Sequence, residues 1–236
     1  MFLALALGVT AASAAYVKYG SLAPRSQLYG RTLTQGKDPR QIALTYDDGP
    51  NHPYTLHMLD CLAKYSAKAT FFLIGKFARQ RPEIVRAIHE AGHAIGNHTY
   101  HHPNLNLASP ARVRRELLDC RNVLQDLTGA SHPLFRPPFG ARLPHVLSIS
   151  RALGFTPVMW SAAGDDWKND SADLILNRVS RAMRSGKSAR GEIILLHDGS
   201  NWGFGADRAQ TVQATERLLQ QYSGSKSFVS VPELTI

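Results

Sequence analysis

From residue 41 onward the chain alternates short apolar runs with segments whose apolar residues recur at helical spacing. The runs at 41–46, 69–74, 94–97, 133–136, 155–160, 191–197 and 227–231 read as strands. Helical patterns near 54–65, 81–91, 109–127, 143–153, 171–185 and 207–222 lie between them. The punctuation agrees. Pro82 and Pro110 stand where helices begin, Ser109 precedes Pro110 as an N-cap, and Gly92 and Gly154 lie just past helical stretches. Repeated strand-helix-strand units predict an α/β fold with a parallel sheet. Ala69-Thr70-Phe71-Phe72-Leu73-Ile74 is apolar on both sides, which predicts a sheet covered on both faces.

The polar residues of chemical interest gather at the C-terminal ends of these strands: Asp47-Asp48, His98 to His102, Arg136, Asp166 and His197. In a parallel barrel those ends converge on one face, where active sites are built. Thr45-Tyr46-Asp47-Asp48-Gly49-Pro50 delivers two adjacent carboxylates at the end of an apolar run, just before a Gly-Pro turn. Side chains alternate along a strand, so the two acids point apart, and one can bind a metal while the other handles a proton. Alone, such a sequence is also a common surface turn.

His98 and His102 are four residues apart, so on a helical turn they share a face and can chelate one ion. His101 and His93 are competing partners. Two imidazoles and a carboxylate make an open site with room for water and substrate. Zinc fits this donor set best, and cobalt, nickel or manganese are also accepted.

Composition narrows the picture. At 236 residues and 44% hydrophobic, the chain has enough material for one sizeable domain with a real core. Its two cysteines, Cys61 and Cys120, lie in helical segments and read as free thiols, which excludes a disulfide framework or a cysteine-based zinc site. A net charge of +9 favours anionic partners, but no zinc finger or RNA-binding aromatic motif accompanies it, so no nucleic-acid partner is expected. Arg178, Arg181 and Arg184, continued by Lys187 and Arg190, read as a solvated helix face rather than an anion site. Residues 1–17 carry no charged side chain, and Ala12-Ser13-Ala14 resembles a signal-peptidase site. A membrane anchor is the rival reading, with a run at the short end of the ~17–25 residues a bilayer needs. Either predicts an exported or cell-envelope protein. Residues 18–37 read as an irregular lead-in, and 38–236 as the catalytic domain.

Five blocks stand in order: Thr45 to Pro50; His98-Thr99-Tyr100-His101-His102-Pro103; Arg136-Pro137-Pro138-Phe139-Gly140; Asp166-Trp167; and Leu195-Leu196-His197-Asp198. Together they resemble the five motifs of the polysaccharide deacetylases of the NodB-homology type, carbohydrate esterase family 4, across 38–234. The resemblance implies a distorted (β/α)7 barrel, in keeping with seven strand candidates. It implies that Asp48, His98 and His102 hold the metal, that Asp47 is the general base and that His197 is the general acid. Arg136 would pair with Asp47 and hold it charged, and Asp166 would tune His197. The Phe139 amide would help bind the oxyanion, while Trp167 and Leu195 would wall a pocket for the acetyl methyl.

This sequence departs from the family pattern at three places. Tyr46 replaces the usual Phe. Ala163 stands where many relatives carry an acid, which leaves Asp165 or Asp166 to tune His197. The 199–206 loop, with Trp202 and Phe204, looks longer than in compact relatives and reads either as a sugar-stacking lip or as a flexible connection. The implied activity is removal of N-acetyl groups from an N-acetylglucosamine-containing glycan, with an anionic envelope polymer suiting the basic surface. An O-acetyl esterase on xylan or another acetylated polysaccharide is the runner-up. A silent glycan-binding domain is the rival from another class. A monomer is expected.

Overall fold

A computed structural model describes residues 15–185 and 190–236. Eight strands form one sheet: β1 (Gln41–Gly49), β2 (Ala69–Leu73), β3 (Ala94–Asn97), β4 (Leu134–Phe135), β5 (Thr156–Pro157), β6 (Ala162–Ala163), β7 (Glu192–His197) and β8 (Ser227–Phe228). Their order is β5-β4-β3-β2-β1-β7-β6, with β8 also paired to β1, and every pairing is parallel. Among the described residues no pairing joins β5 to β6, so the sheet curls into a distorted (β/α) barrel that stays open at that seam.

Seven helices connect these strands: α1 (Tyr54–Lys64), α2 (Gly75–Gln80), α3 (Pro82–Glu90), α4 (Pro110–Thr128), α5 (Pro144–Ala152), α6 (Ala172–Ser185) and α7 (Ala209–Tyr222). Pro82 and Pro110 open α3 and α4, where a missing N–H costs nothing. The Ser109 side chain accepts from the Arg112 amide, and Gly92 and Gly154 take positive φ just past their helices.

The period of two along β1 sorts its side chains. Leu44 and Tyr46 join Phe71, Met58, Leu62 and Leu218 in the layer between sheet and helices. Ala43 packs with Phe72, Val158 and Ile193 in a second cluster. Asp47 follows Ala43 and Thr45 on that same side, so the register that buries Leu44 and Tyr46 also aims Asp47 along the barrel. The buried Tyr46 hydroxyl meets Thr215 Oγ1 at 3.0 Å, so tyrosine fits here without an orphaned polar atom. Both cysteines are free and buried.

Several details differ from the sequence reading, among them the short helix α2, which no expected segment covers. The 155–160 run is a strand only at Thr156–Pro157, where β5 ends on a proline and Val158 bridges instead to Leu33. The extra strand β6 is two alanines with no apolar run to mark it. The lead-in is helical over 15–22 rather than irregular throughout. The buried Arg142 clamps the residues just after this helix by donating to the carbonyls of Ala23 and, at 3.1 Å, Ser26. The leader or anchor expected over 1–17 lies largely outside the described residues, as does Lys187. No described helix is long and apolar enough to cross a membrane.

Candidate active site

The site begins where β1 loses its regularity. Asp47 pairs in register with His197 on β7 and with Phe72 on β2, and the ladder then shifts between Asp47 and Gly49. Asp48 sits in that bulge with a left-handed φ of 71°. The bulge turns the two consecutive carboxylates apart. Gly199 packs against the Asp48 carbonyl so closely that a Cβ there would overlap it, which makes glycine a steric requirement of the bulge.

At the end of β3 the histidines arrive on a loop rather than the expected helical turn. Thr99 and His102 take left-handed φ values of 65° and 61°. Asn97 Oδ1 accepts from the Thr99 amide at 2.8 Å, and Thr99 Oγ1 accepts from the His102 amide at 3.0 Å. The loop brings His98 and His102 to a ring separation of 4.9 Å. Asp48 Oδ1 lies 3.1 Å from His102 Nε2 and 3.5 Å from His98 Nε2. His98 Nδ1 donates to the Arg136 carbonyl at 2.8 Å, which leaves its Nε2 for the cluster.

The two competing histidines are engaged elsewhere. His101 Nδ1 is 3.1 Å from Glu116 Oε1, with a side chain 57% exposed. His93 Nδ1 accepts from the Ala69 amide at 3.3 Å, and burial pushes its imidazole down to about 4.

Asp48, His98 and His102 are the acid-histidine cluster with metal-holding geometry among the described residues, their ligand atoms within 4.8 Å of one another. All three are buried, and Asp48 Oδ1 and His102 Nδ1 have no hydrogen-bond partner. Burial would raise the Asp48 carboxyl, but the adjacent imidazoles of His102 and His98 hold it well below the usual range. Burial lowers His102, with His98 adding to the effect and Asp48 opposing it. An ionised carboxylate and a lowered imidazole are the states a cation requires, so this donor set fits a divalent metal ion.

Arg136 is fully buried beside it. Its guanidinium donates to Asp47 Oδ1 at 2.8 Å, Thr45 Oγ1 at 2.7 Å and the Met159 carbonyl at 3.1 Å, and lies 4.2 Å over the Phe72 ring. Burial lowers the guanidinium and Asp47 opposes that shift. Asp47 Oδ2 remains 3.7 Å from His98 Nε2.

On β7, His197 Nδ1 donates to Asp166 Oδ1 at 2.9 Å, which leaves Nε2 as its other ring nitrogen. Burial would lower this imidazole; the charge and hydrogen bond of Asp166 outweigh that, Asp48 and Asp47 add to it, and His197 is raised to about 9. Asp166 is the acid in contact. Asp165 is instead paired with Lys168 at 2.9 Å. Thr211 donates to Asp166 Oδ2 at 2.9 Å.

A cleft of about 540 Å³ joins Asp47, Asp48, His98, His102 and His197, and Phe139, Trp167 and Leu195 line it with them. Phe139 has a left-handed φ of 57°, and its ring meets His102 edge-on at 4.6 Å. Phe139 and Trp167 are each 57% exposed, and Leu195 is half-buried.

Other residues in the site carried no assigned role. Arg208 donates to the Gly199 carbonyl at 2.8 Å and the Asp166 carbonyl at 3.4 Å, and its charge helps keep Asp166 ionised. Asp198 is wholly buried, accepts from Thr55 Oγ1, and is pushed up to about 7 by burial, Asp48 and Asp47 adding to the effect. Its place beside His197 was the signal available.

Known proteins resemble this chain over most of its length. The polysaccharide deacetylase family model matches residues 34–158. A peptidoglycan-N-acetylglucosamine deacetylase of Bacillus cereus is 35% identical over 218 residues, covering 91% of this chain and 76% of the relative. A chitooligosaccharide deacetylase of Azorhizobium caulinodans is 36% identical over 189 residues, covering 77% and 87%. The crystal structure of a peptidoglycan N-acetylglucosamine deacetylase superposes with a TM-score of 0.78 at 34% identity, covering 86% of this chain and 92% of the other. The open parallel barrel and the likeness over most of its length lead to one assignment: this chain belongs to the polysaccharide deacetylase family.

Proposed function

We propose that the cleft hydrolyses N-acetyl groups on an N-acetylglucosamine-containing glycan, releasing acetate and leaving a free amine. The relation between Asp47 and His197 carries this reading. They are register partners on adjacent strands and line one cleft with the Asp48, His98 and His102 cluster. Amide hydrolysis needs a base for the attacking water and an acid for the departing nitrogen, and here they sit side by side.

Asp48, His98 and His102 would hold a divalent cation, which would polarise the carbonyl as a Lewis acid and lower the pKa of water; zinc suits the donors best, with cobalt, nickel or manganese as substitutes. Asp47 is the general base. Arg136 occupies its Oδ1 and leaves Oδ2 to take the proton of the water whose oxygen attacks the acetyl carbon. The Phe139 amide donates to the oxyanion of the tetrahedral adduct. His197, held protonated by Asp166, gives its Nε2 proton to the amide nitrogen as the carbon–nitrogen bond breaks. Trp167 and Leu195 enclose the acetyl methyl and disfavour longer acyl groups by shape.

The net charge of +9 supports an anionic envelope polymer such as peptidoglycan as the substrate of an exported or envelope enzyme, with residues 1–17 as its leader or anchor and 38–236 as its catalytic unit.

An ester leaves without needing a strong acid, so His197 separates the two hydrolase readings. His197→Ala is expected to slow N-acetyl hydrolysis by about 10²–10⁴-fold and acetyl-ester hydrolysis far less. Equal losses on both substrates overturn the amide reading.

A further inference from the structure

The loop between β7 and α7 is tied down on both sides of its largest side chain. Asn51 Nδ2 donates to the carbonyls of Asp198 at 3.0 Å and Ala206 at 2.9 Å, and Asn51 Oδ1 accepts from the Gly205 amide at 2.9 Å. Phe204 packs on Phe77 with ring centres 4.8 Å apart, and the Arg81 guanidinium lies 4.8 Å from the Phe204 ring centre. Arg208 closes the base through the Gly199 carbonyl. Trp202 takes no part in this anchoring: its indole is 93% exposed, yet it lines the same cleft as His197 and Trp167.

A single exposed apolar side chain is ordinary on a protein surface. This one is set apart by its position. The loop spends one aromatic on fixing itself and holds the other at the mouth of the cleft, where a rigid, two-torsion side chain gives large contact area at little entropic cost. The groups deeper in the cleft handle one acetyl group. A β-linked glycan extends beyond it in both directions, and each pyranose ring presents flat C–H faces that suit an indole.

We propose that Trp202 is the platform of a second sugar subsite, stacking on the ring of a residue next to the one being deacetylated. It makes the enzyme prefer chains over short fragments. The substrate class rests on the function proposed above; the platform itself is tested by binding as well as by turnover.

Wild type, Trp202→Ala and Trp202→Phe are compared on N-acetylchitobiose and N-acetylchitopentaose. Acetate release is measured with zinc, and pentaose binding to metal-free protein is measured by calorimetry. Trp202→Ala is expected to reduce the pentaose-to-biose ratio of kcat/KM about five- to tenfold, mostly through KM, and to weaken pentaose binding by a similar factor. Trp202→Phe restores most of both. An unchanged ratio together with unchanged binding overturns the platform, as does the absence of pentaose binding by wild type. Wild type that binds pentaose but releases no acetate refutes the catalytic reading alone; weaker binding by Trp202→Ala then still supports the platform.

Discussion

Asp166 grips His197 twice, accepting from ring Nδ1 at 2.9 Å and from the backbone amide of the same residue at 2.8 Å. One carboxylate therefore fixes both the tautomer and the position of the ring. Asp166 is itself held by Thr211 and Arg208.

This pair sets a pH dependence. His197 is raised to about 9, so it is protonated at neutral pH and loses its proton on the alkaline side. Asp166→Asn removes the strongest raising influence on His197 and is expected to move the alkaline limb of kcat to lower pH. In metal-free protein, the stabilisation from a raised imidazole is present in full below its unfolded value of about 6.5. It is lost as pH rises through about 9. Melting temperatures across that window should decline in wild type and stay flatter in Asp166→Asn. Identical pH profiles for the two proteins would contradict the account.

Arg136 and Asp47 form a buried ion pair at 2.8 Å, and removing one partner strands the other. Arg136→Met is expected to cost ~3–5 kcal/mol in urea denaturation. Adding Asp47→Asn should recover part of that loss, because the uncompensated charge disappears. A double variant no more stable than Arg136→Met would show that packing of the guanidinium against Phe72 is the larger contribution.

The metal set makes a selective prediction among histidines. Calorimetric titration with zinc should give one site in wild type, weakened more than about a hundredfold by His102→Ala or Asp48→Asn, since even supporting residues of metal sites cost 10–100-fold. His101→Ala should bind zinc as wild type does, because His101 is committed to Glu116. Chelation should abolish acetate release, and added zinc should restore it.

Gly199→Ala tests the bulge. A methyl there meets the Asp48 carbonyl, so the variant is expected to lose ~1–3 kcal/mol of stability and bind zinc more weakly, although residue 199 touches no metal. Unaltered zinc affinity would show that Asp48 does not depend on this contact.

Much of this organisation was readable in the chain. The two-residue alternation of Ile42 to Tyr46 and the helix punctuation at Pro82, Ser109 and Gly154 give strands and helices close to those observed, since burial and capping are local effects. The polar strand ends Asp47, Asp48, His98, Arg136 and His197 meet because parallel strands share one direction. What stayed hidden depends on distant contacts. β6 is two alanines that count as a strand only because Ala162 and Ala163 pair with Ile194 and Leu195. The short α2 spans too few residues to show a period. Spacing and the family resemblance already favour His102 over His101, but the left-handed Thr99 and His102 that put the ring in place are a backbone geometry the sequence does not reveal. Arg208 looked like any other of 27 basic residues, and only folding sets it against Asp166.

The central claim is that Asp47 and His197 act together on an acetamido group. The most direct test is acetate release from N-acetylchitooligosaccharides and peptidoglycan fragments by zinc-loaded wild type and Asp47→Asn. The account predicts equal amounts of acetate and new amine from wild type, with the rate falling by on the order of 10²–10⁴ in Asp47→Asn. No acetate from any acetylated glycan with zinc bound, or undiminished release by Asp47→Asn, would contradict it.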